Sequence, residues 1–586
     1  LKKAEEILKK SLKKIKEFEG TQSINTALAQ KKLAEVYVMQ DLFEKAKPLF
    51  KKQLIITLNY LKREAPFLPL GERSKFINSF HSNFHSLNSF YGTNEKGKDL
   101  ILFMRLNRQG LLAEIEKNQS RIANLSDKNK EIVEDLISIT NQISSQKKQS
   151  KDFNKLLKKK ENLEKLLYRV LPKIQPRIFE VDEISRMIPK NAVLIEFQKF
   201  RPYDKTKSLA KAFERLHYFA SIINSKGEIQ NIDLGPSKTI DKLIEDGLVA
   251  SEKSLSDSQD IFDKISSLLI QPLNSAISDS KIIIISPHLE LNRIPFSALR
   301  SPISKNFLNE DYELRLVTTG RELIEIEIEN SSKNRPLIIA NPNFNLRNYK
   351  KNQNNIFNTS QKRSKEIKSK DWGMLPGTEK EGASIAKITN GRFAKGDKAT
   401  SLIIQKTSRP KILHIASHSY YFGDLYRDKT KKISSNLIDK KEYFTNSMHK
   451  ENPLLRSGIV LAGANNPLEF NNDDGYLTAL EITKLDWRGT DLVVISGCES
   501  GLGEIRSGEG VYGLKRAIAI AGAKSSLLSL WKVNDSATAE FMEDFYIRLK
   551  NGESKTEALA KTQKEFRTHP IKAWRHPNVW AAFQLS

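Results

Sequence analysis

Apolar residues recur at helical spacing through roughly the first 180 residues of the chain. Charged residues separate them, so one face of each predicted helix is apolar and the other is polar. Between residues 111 and 143 the apolar positions at this spacing include Leu111, Leu112, Ile115, Ile122, Leu125, Ile132, Leu136, Ile139 and Ile143. This spacing predicts a succession of amphipathic helices.

Residues 27–54 predict a helix pair with a signature of its own. The positions that match the offsets of a tetratricopeptide repeat are Leu33, Ala34, Tyr37, Ala46 and Phe50. Gln40 and Asp41 mark the turn, and Ala4 and Leu8 repeat the last two positions 42 residues earlier. We therefore predict tetratricopeptide helices over residues 1–95, in an array that begins upstream of Leu1, and a helical linker or bundle over residues 96–180.

Beyond residue 180 the pattern changes to short apolar runs that alternate with helical stretches. Residues 193–197, 216–220 and 282–285 are the first of these runs. Such alternation is typical of an α/β domain with a mainly parallel sheet flanked by helices, which we predict for residues 181–586. Residues 344–371 and 425–452 are rich in Asn, Lys and Ser, and we expect them to form long loops.

Two of the apolar runs end in residues that carry chemistry. Residues 412–416 lead to His418, and residues 492–495 lead to Cys498, which is the only cysteine in the sequence. Adjacent parallel strands that end in His and Cys would bring together a nucleophile and its base. A single cysteine is more often a small buried hydrophobic residue, but the glycines at 497, 501 and 503 favour close substrate approach instead.

Several sequence blocks around these two residues resemble the CHAT family of caspase-like domains, which are often joined to tetratricopeptide repeats. The blocks occur in order across residues 411–584 and read HIASH, SGIVLAGANN, DGYLTALEITKLDW, VVISGCESGLGEIRSGEGVYGLKRAIAIAGA, SLWKVNDSAT and HPNVWAAF. The resemblance implies a caspase-like fold and a cysteine endopeptidase without a cofactor. Position by position it implies that Cys498 is the nucleophile and that His418, rather than His414, is the general base.

The resemblance also assigns the oxyanion hole to the backbone N–H groups of Ser419 and Cys498. Caspase-like domains usually have glycine directly after the histidine, whereas this sequence has Ser419. Serine offers the same N–H but restricts the backbone angles, so an impaired oxyanion hole stays an open alternative. The chemistry needs the dyad, because a free thiol with a pKa of about 8.5 is largely protonated at neutral pH.

Two competing sites fit the sequence less well. His414 and His418 have the spacing of a zinc-binding helix. The apolar run at residues 412–416, which contains His414, comes shortly after Pro410 and favours a buried strand instead. We therefore expect His414 to be a packed, hydrogen-bonded residue. Residues 497–510 are rich in glycine, but the predicted helix start at Gly508-Glu509-Gly510 places a carboxylate where a phosphate would bind.

The residue preferred before the scissile bond stays open. In several caspase-like relatives an acidic residue two positions before the cysteine lines the pocket for a basic side chain, and the matching residue here is Ser496. Asp473 and Asp474 are the other pocket candidates, although acidic loop residues are usually only solvated.

Net charge is +26, and it is concentrated in the helical part. Residues 1–180 contain 36 basic and 21 acidic side chains, a difference of +15. We expect the helices to recruit a protein substrate or a protein or nucleoprotein activator; helices that only cover the protease are the alternative. Direct contact with nucleic acid has weaker grounds, since lysine-rich surfaces are often only solvated.

The sequence lacks the apolar run that would cross a membrane, and its single cysteine suits a reducing compartment, so we expect a cytoplasmic protein. Two functions follow. The first is a regulated cysteine endopeptidase, and the second is a catalytically silent caspase-like scaffold that acts through protein binding.

Overall fold

The computed structural model divides the chain into two compact units. The helical unit consists of Leu1–Val181 and Phe200–Glu214, and the α/β unit of Asp182–Lys199 and Arg215–Ser586. The described residues are 1–68, 70–92, 94–123, 131–136, 138–139, 151–170, 177–204, 206–207, 212–326, 331–347, 371–422, 453–466, 474–497, 500–506 and 508–586.

The long helices of the helical unit follow the apolar spacing of the sequence. They are α1 Lys2–Glu19, α2 Ile24–Met39, α3 Phe43–Glu64, α4 Leu70–Ser79, α5 His81–Tyr91, α6 Lys98–Arg108, α7 Leu111–Ala123 and α8 Lys151–Val170. Residues 131–136 are also helical. No helix in the described residues is both long enough and apolar enough to cross a membrane.

The predicted helix pair at residues 27–54 is confirmed as α2 and α3. Leu33, Tyr37 and Phe50 are buried between helices, and Asp41 takes a φ of 61° where the chain reverses. The Leu42 N–H donates to Tyr37 O at 2.8 Å and closes the turn. Ala4 of α1 is exposed, unlike Ala46 in the matching position. Assignment of these helices to the tetratricopeptide class stays a prediction.

Helices and strands alternate through the α/β unit, as predicted. The helices are α9 Val181–Met187, α10 Ser237–Glu252, α11 Ser258–Leu269, α12 Asn274–Ile277, α13 Leu308–Asp311, α14 Glu322–Ile326, α15 Pro376–Thr389, α16 Ser401–Gln405, α17 Ala479–Ile482, α18 Leu514–Ala521, α19 Asp535–Lys550, α20 Lys555–Arg567 and α21 Pro577–Trp580. Short 3₁₀ turns connect several of them.

The strands form two larger sheets and two small ones. They are β1 Ala192–Phe200, β2 His217–Asn224, β3 Ile229–Pro236, β4 Ile282–Ser286, β5 Glu313–Leu316, β6 Leu337–Pro342, β7 Arg392–Gly396, β8 Ile412–Ala416, β9 Ser419–Tyr421, β10 Ser457–Val460, β11 Tyr476–Thr478, β12 Leu492–Ile495, β13 Gly503–Arg506, β14 Gly510–Gly513, β15 Ser526–Ser529 and β16 Phe583–Leu585.

A six-stranded sheet forms the centre of the α/β unit, in the order β16-β15-β12-β8-β6-β7. Its pairs are parallel except for β15 with β16. A five-stranded sheet has the order β3-β2-β1-β4-β5, with β1, β4 and β5 parallel. Strand β12 is buried over its whole length, which explains its continuous apolar sequence. The predicted α/β fold class is confirmed.

Helices α15 and α19 pack together beside the central sheet, with α15 against β6 and β8. One apolar core continues from the five-stranded sheet through Ile283 to the six-stranded sheet at Val494. It includes the aromatic side chains of Phe541 and Phe545 on α19, and Trp580 of α21, which is 1% exposed. This core covers the central strands of both sheets.

The predicted helix start at residues 508–510 is wrong, because this stretch belongs to a β-hairpin. Strand β13 pairs antiparallel with β14, and helix α18 begins only at Leu514. A β-carbon on Gly503 would lie 2.8 Å from Tyr512 O, so glycine permits the close pairing. Most of the two predicted long loops, residues 348–370 and 423–452, lies outside the described residues.

Candidate active site

Strands β8 and β12 are neighbours in the central sheet and run parallel. Ile415 of β8 pairs with Ile495 of β12 in the register, and the Ser496 N–H donates to Ile415 O at 3.1 Å. The carboxyl ends of the two strands therefore meet at one edge of the sheet. Residues 417–419 follow β8 and are called the histidine end; Ser496 and Gly497 follow β12 and are called the cysteine end.

Strand β10 holds the backbone of the histidine end. The Ser417 hydroxyl donates to Val460 O at 2.5 Å, and the Val460 N–H donates to His418 O at 2.9 Å. Beyond His418 the chain continues as β9, in which Ser419 pairs with Ile459. Hydrogen bonds on both sides of His418 thus fix the backbone from which its side chain extends.

Gly497 lies in close contact with the histidine end. A β-carbon built on Gly497 would lie 2.2 Å from the carbonyl oxygen of Ser417 and 3.1 Å from the amide nitrogen of Ser419. Only glycine allows this approach, since a side chain would push the two strand ends apart. Cys498, which follows Gly497 in the sequence, lies outside the described residues.

The imidazole of His418 is oriented by a backbone carbonyl and two aromatic rings. Its Nε2 lies 2.8 Å from Gly373 O. The rings of Phe344 and Trp372 pack against it, each at a centroid distance of 5.2 Å. A carbonyl oxygen only accepts, so Nε2 carries the hydrogen, and Nδ1 is the basic nitrogen of the neutral ring.

Trp372 is itself held in place. Its Nε1–H donates to the Tyr476 hydroxyl and its backbone N–H to Asn465 Oδ1, both at 2.9 Å. It belongs to an apolar cluster beside β9, β10 and β11 that contains Phe344, Trp372, Tyr420, Phe422, Val460, Ala464 and Tyr476. The cluster gives the histidine ring a rigid wall.

An acidic side chain lies within electrostatic reach of His418. Asp535 begins helix α19. Partial burial raises the pKa of Asp535, as does the charge of Glu381, while His418 and Lys532 act in the opposite direction. The end of the sheet therefore has a carboxyl group that interacts with the histidine charge.

The backbone of Ser419 is that of an ordinary strand residue. It is the first residue of β9, and the non-glycine residues with positive φ among those described are Asp41, Ser254, Leu289, Lys305, Asn341, Asn390 and Arg409. Serine therefore takes this conformation without strain. The amide nitrogen of Ser419 faces Gly497, on the side where the two strand ends meet.

The proposed pocket residues have different surroundings. Ser496 is 9% exposed, and its hydroxyl has no hydrogen-bond partner among the described residues. A carboxylate oxygen of Asp474 accepts from the Tyr476 N–H at 3.0 Å, which uses part of its hydrogen-bonding capacity in the turn. Asp473 lies outside the described residues.

His414 is a buried, hydrogen-bonded residue on β8, as expected. Its Nε2 lies 3.1 Å from Glu381 Oε1, and its Nδ1 lies 3.2 Å from the Tyr546 hydroxyl. Burial, together with the charge of Glu381, raises the pKa of Tyr546 well above its usual value. The strand directs His414 into the core, which separates it from His418. Within the described ranges no cluster of metal-ligating side chains occurs.

Comparison with known proteins identifies the family. The model of the CHAT domain matches residues 259–586, more than half of the chain. The chain belongs to the CHAT-domain family. Tetratricopeptide repeat protein 28 of Homo sapiens is 25% identical over 331 residues, which are 54% of this chain and 13% of that protein. The Mus musculus protein of the same name is 26% identical over 220 residues, covering 36% of this chain and 9% of that protein.

Two solved structures of the Saccharomyces cerevisiae separase–securin complex also match. The first has a TM-score of 0.40 at 9% identity and covers 99% of this chain and 48% of that chain. The second has a TM-score of 0.37 at 10% identity and covers 99% and 44%, respectively. The chain thus spans less than half the length of each of these four matched chains.

Of the groups that orient His418 in this CHAT domain, the sequence offered a signal for Trp372 but none for the Gly373 carbonyl. Gly373 acts through its carbonyl, which every residue has, and it is 45 positions away from the histidine. Trp372 gave a usable signal, because it is the first aromatic residue after the polar stretch that ends at residue 371.

Proposed function

We propose that the CHAT domain is a cysteine endopeptidase in which Cys498 is the nucleophile and His418 the general base. The observation that carries the proposal is the contact of Gly497 with Ser417 and Ser419. The residue before the cysteine thereby lies against both neighbours of the histidine. This closeness is what a nucleophile and its base require.

The mechanism begins with the thiol. His418 Nδ1 takes the proton of Cys498, and the thiolate attacks the carbonyl carbon of the peptide bond. The tetrahedral oxyanion accepts hydrogen bonds from the backbone N–H groups of Ser419 and Cys498. The imidazolium then protonates the leaving amine, and water hydrolyses the thioester with His418 again as base.

The Gly373 carbonyl acts on the base. It fixes the tautomer with hydrogen on Nε2, and it stabilises the imidazolium that forms after proton transfer. Phe344 and Trp372 prevent rotation of the ring. The aromatic wall and the carbonyl together perform the task that a carboxylate performs in other hydrolases.

The rest of the chain recruits partners in this proposal. The helical unit binds a protein substrate or a protein or nucleoprotein activator, and the excess positive charge of residues 1–180 favours an acidic one. The reaction then occurs in the cytoplasm, where a single free thiol stays reduced.

Labelling by peptide acyloxymethyl ketones with varied residues before the reactive group tests the proposal. Wild type, Cys498→Ala and His418→Ala are compared, with cell extract as a source of activator. We expect wild type to be labelled and both variants to lose the labelling. The probes that label wild type would also identify the residue preferred before the scissile bond. Folded wild type that is never labelled would contradict the proposal and favour the silent scaffold.

A further inference from the structure

Two buried serines, Ser500 and Ser529, lie in contact with each other beside the cysteine end. Ser529 is the last residue of β15, which pairs with β12, and Ser500 follows the cysteine by two positions. Both side chains are 0% exposed. A buried hydroxyl costs free energy unless it is hydrogen-bonded, so alanine would serve as well if only packing mattered.

The Ser529 side chain hydrogen-bonds to the backbone of both Gly497 and Ser500. Its hydroxyl donates to Gly497 O at 2.5 Å and accepts from the Ser500 N–H at 3.4 Å. The residues immediately before and after the Cys498-Glu499 pair are therefore attached to one oxygen atom.

Ser500 completes a closed set of hydrogen bonds. Its hydroxyl donates to Ile495 O and accepts from the Ser529 N–H, both at 2.9 Å. The Gly501 N–H donates to Ser529 O at 2.7 Å. Four of these five hydrogen bonds join residues 497, 500 and 501 to Ser529 at the end of β15, and the fifth joins Ser500 to Ile495. We call the set the serine clasp.

We propose that Ser500 and Ser529 are positioning residues for the nucleophile. This inference rests on the proposed peptidase function and adds the device that aligns it. A trans peptide group holds its C=O and N–H in opposite directions. A hydroxyl that fixes the Gly497 carbonyl therefore also fixes the direction of the next amide N–H, the proposed oxyanion donor.

The same hydrogen bonds fix the backbone of Gly497, to which the proposed nucleophile is attached. Gly497 has no side chain and contributes no packing of its own, so its orientation depends on its backbone contacts. Ser529 supplies one contact, and the histidine end supplies the other. Loss of the hydroxyl frees the carbonyl and misaligns the thiol with His418, and misplacement by about 1 Å costs on the order of 100-fold in rate.

The experiment uses the single cysteine as its own reporter. The rate of alkylation by iodoacetamide is measured against pH for wild type, His418→Ala, Ser529→Ala and Ser500→Ala. Ser526→Ala is the matched control, because Ser526 also lies on β15 and its hydroxyl bonds to Ser586 Oγ at 2.9 Å, away from residues 495–501. Thermal melting and amide hydrogen exchange at residues 500 and 501 report on folding and on the clasp itself.

We expect Ser529→Ala and Ser500→Ala to slow alkylation at pH 7 by about tenfold, to shift the profile toward that of an ordinary thiol, and to expose the two amides to exchange. Ser526→Ala should match wild type in all three. The inference is overturned if the alkylation profiles of Ser529→Ala and Ser500→Ala both coincide with that of Ser526→Ala, whatever the melting temperatures of these variants.

Failure of the proposed function gives a different pattern. If His418→Ala has the wild-type profile, the dyad is wrong. Ser529→Ala then decides the clasp separately: a rate that differs from that of Ser526→Ala supports it, and an equal rate overturns it.

Discussion

The two strand ends that meet at the candidate site are stabilised by opposite means. The histidine end has a large side chain held by rings and by the Gly373 carbonyl. The cysteine end is held at Gly497 by close backbone contact and a serine hydroxyl. In the proposed dyad the base needs its ring oriented and the nucleophile needs its backbone placed, and the contacts at each end suit the proposed role.

Because different contacts stabilise the two ends, substitutions at each end should have different effects on the thiol. Damage at the histidine end should change only how the thiol is activated, while damage at the cysteine end should change where the thiol lies and, through its distance from His418, its activation as well. Single substitutions at the two ends separate these effects.

Gly497→Ala should have the largest effect. The new β-carbon would lie 2.2 Å from Ser417 O, so the two strand ends must separate. We expect probe labelling to fall by about 100-fold or more and the free energy of unfolding to fall by about 1–3 kcal/mol. Probe labelling and chemical denaturation measure the two quantities.

A matched glycine gives the control for this prediction. Gly247→Ala on α10 places its β-carbon 3.1 Å from the buried ring of Phe262, so a shift of a few tenths of an ångström accommodates it, in place of the 2.2 Å clash at Gly497. Its labelling should equal that of wild type. Gly497→Ala with wild-type labelling would show that close contact between the strand ends is unnecessary.

Arg456→Met should weaken the connection between the two ends. Arg456 precedes β10, which holds the histidine end, and its buried guanidinium pairs with Glu504 of β13, beyond the cysteine end. Removing one partner of a buried pair leaves a costly charge, so we expect a loss of about 3 kcal/mol in the free energy of unfolding. Chemical denaturation checks the value.

The exposed pair of Arg409 and Asp486 serves as the control. The Arg409 Nε lies 2.9 Å from the Asp486 carboxylate, and both side chains are partly exposed. Arg409→Met should therefore lower the free energy of unfolding by less than about 1 kcal/mol. Adding Glu504→Gln to Arg456→Met should restore part of the lost stability. Equal costs at both arginines would contradict a role for burial.

Trp372→Ala should impair only the histidine end. Loss of the ring removes one wall beside His418 and the hydrogen bond to Tyr476. We expect alkylation of Cys498 to slow by about tenfold at pH 7 and to match wild type near pH 9.5, where the thiol ionises unaided. Trp372→Phe keeps a ring and should stay near wild type; a deficit that persists at high pH would contradict this assignment.

Ser419→Gly should have the smallest effect. Ser419 is in extended backbone at the start of β9, so glycine gains no needed freedom there. We expect labelling to stay within about twofold of wild type and stability to fall by about 0.5–1 kcal/mol from backbone entropy. Faster labelling would show that serine impairs the oxyanion hole.

Local patterns predicted the central strands because they are short, apolar and buried. Residues 492–495 of the predicted run coincide with β12. The β13–β14 hairpin was missed because its glycines serve backbone pairing, which resembles a glycine-rich helix start in sequence. The clasp was missed because Ser500 and Ser529 meet only through the register of β12 with β15.

The pH dependence of Cys498 alkylation in wild type and His418→Ala tests the central claim most directly, since it needs neither substrate nor activator. We expect the wild-type thiol to titrate well below about pH 8.5 and the thiol of the variant to return to that value. Coincident profiles in two folded proteins would show that the two strand ends do not form a catalytic dyad.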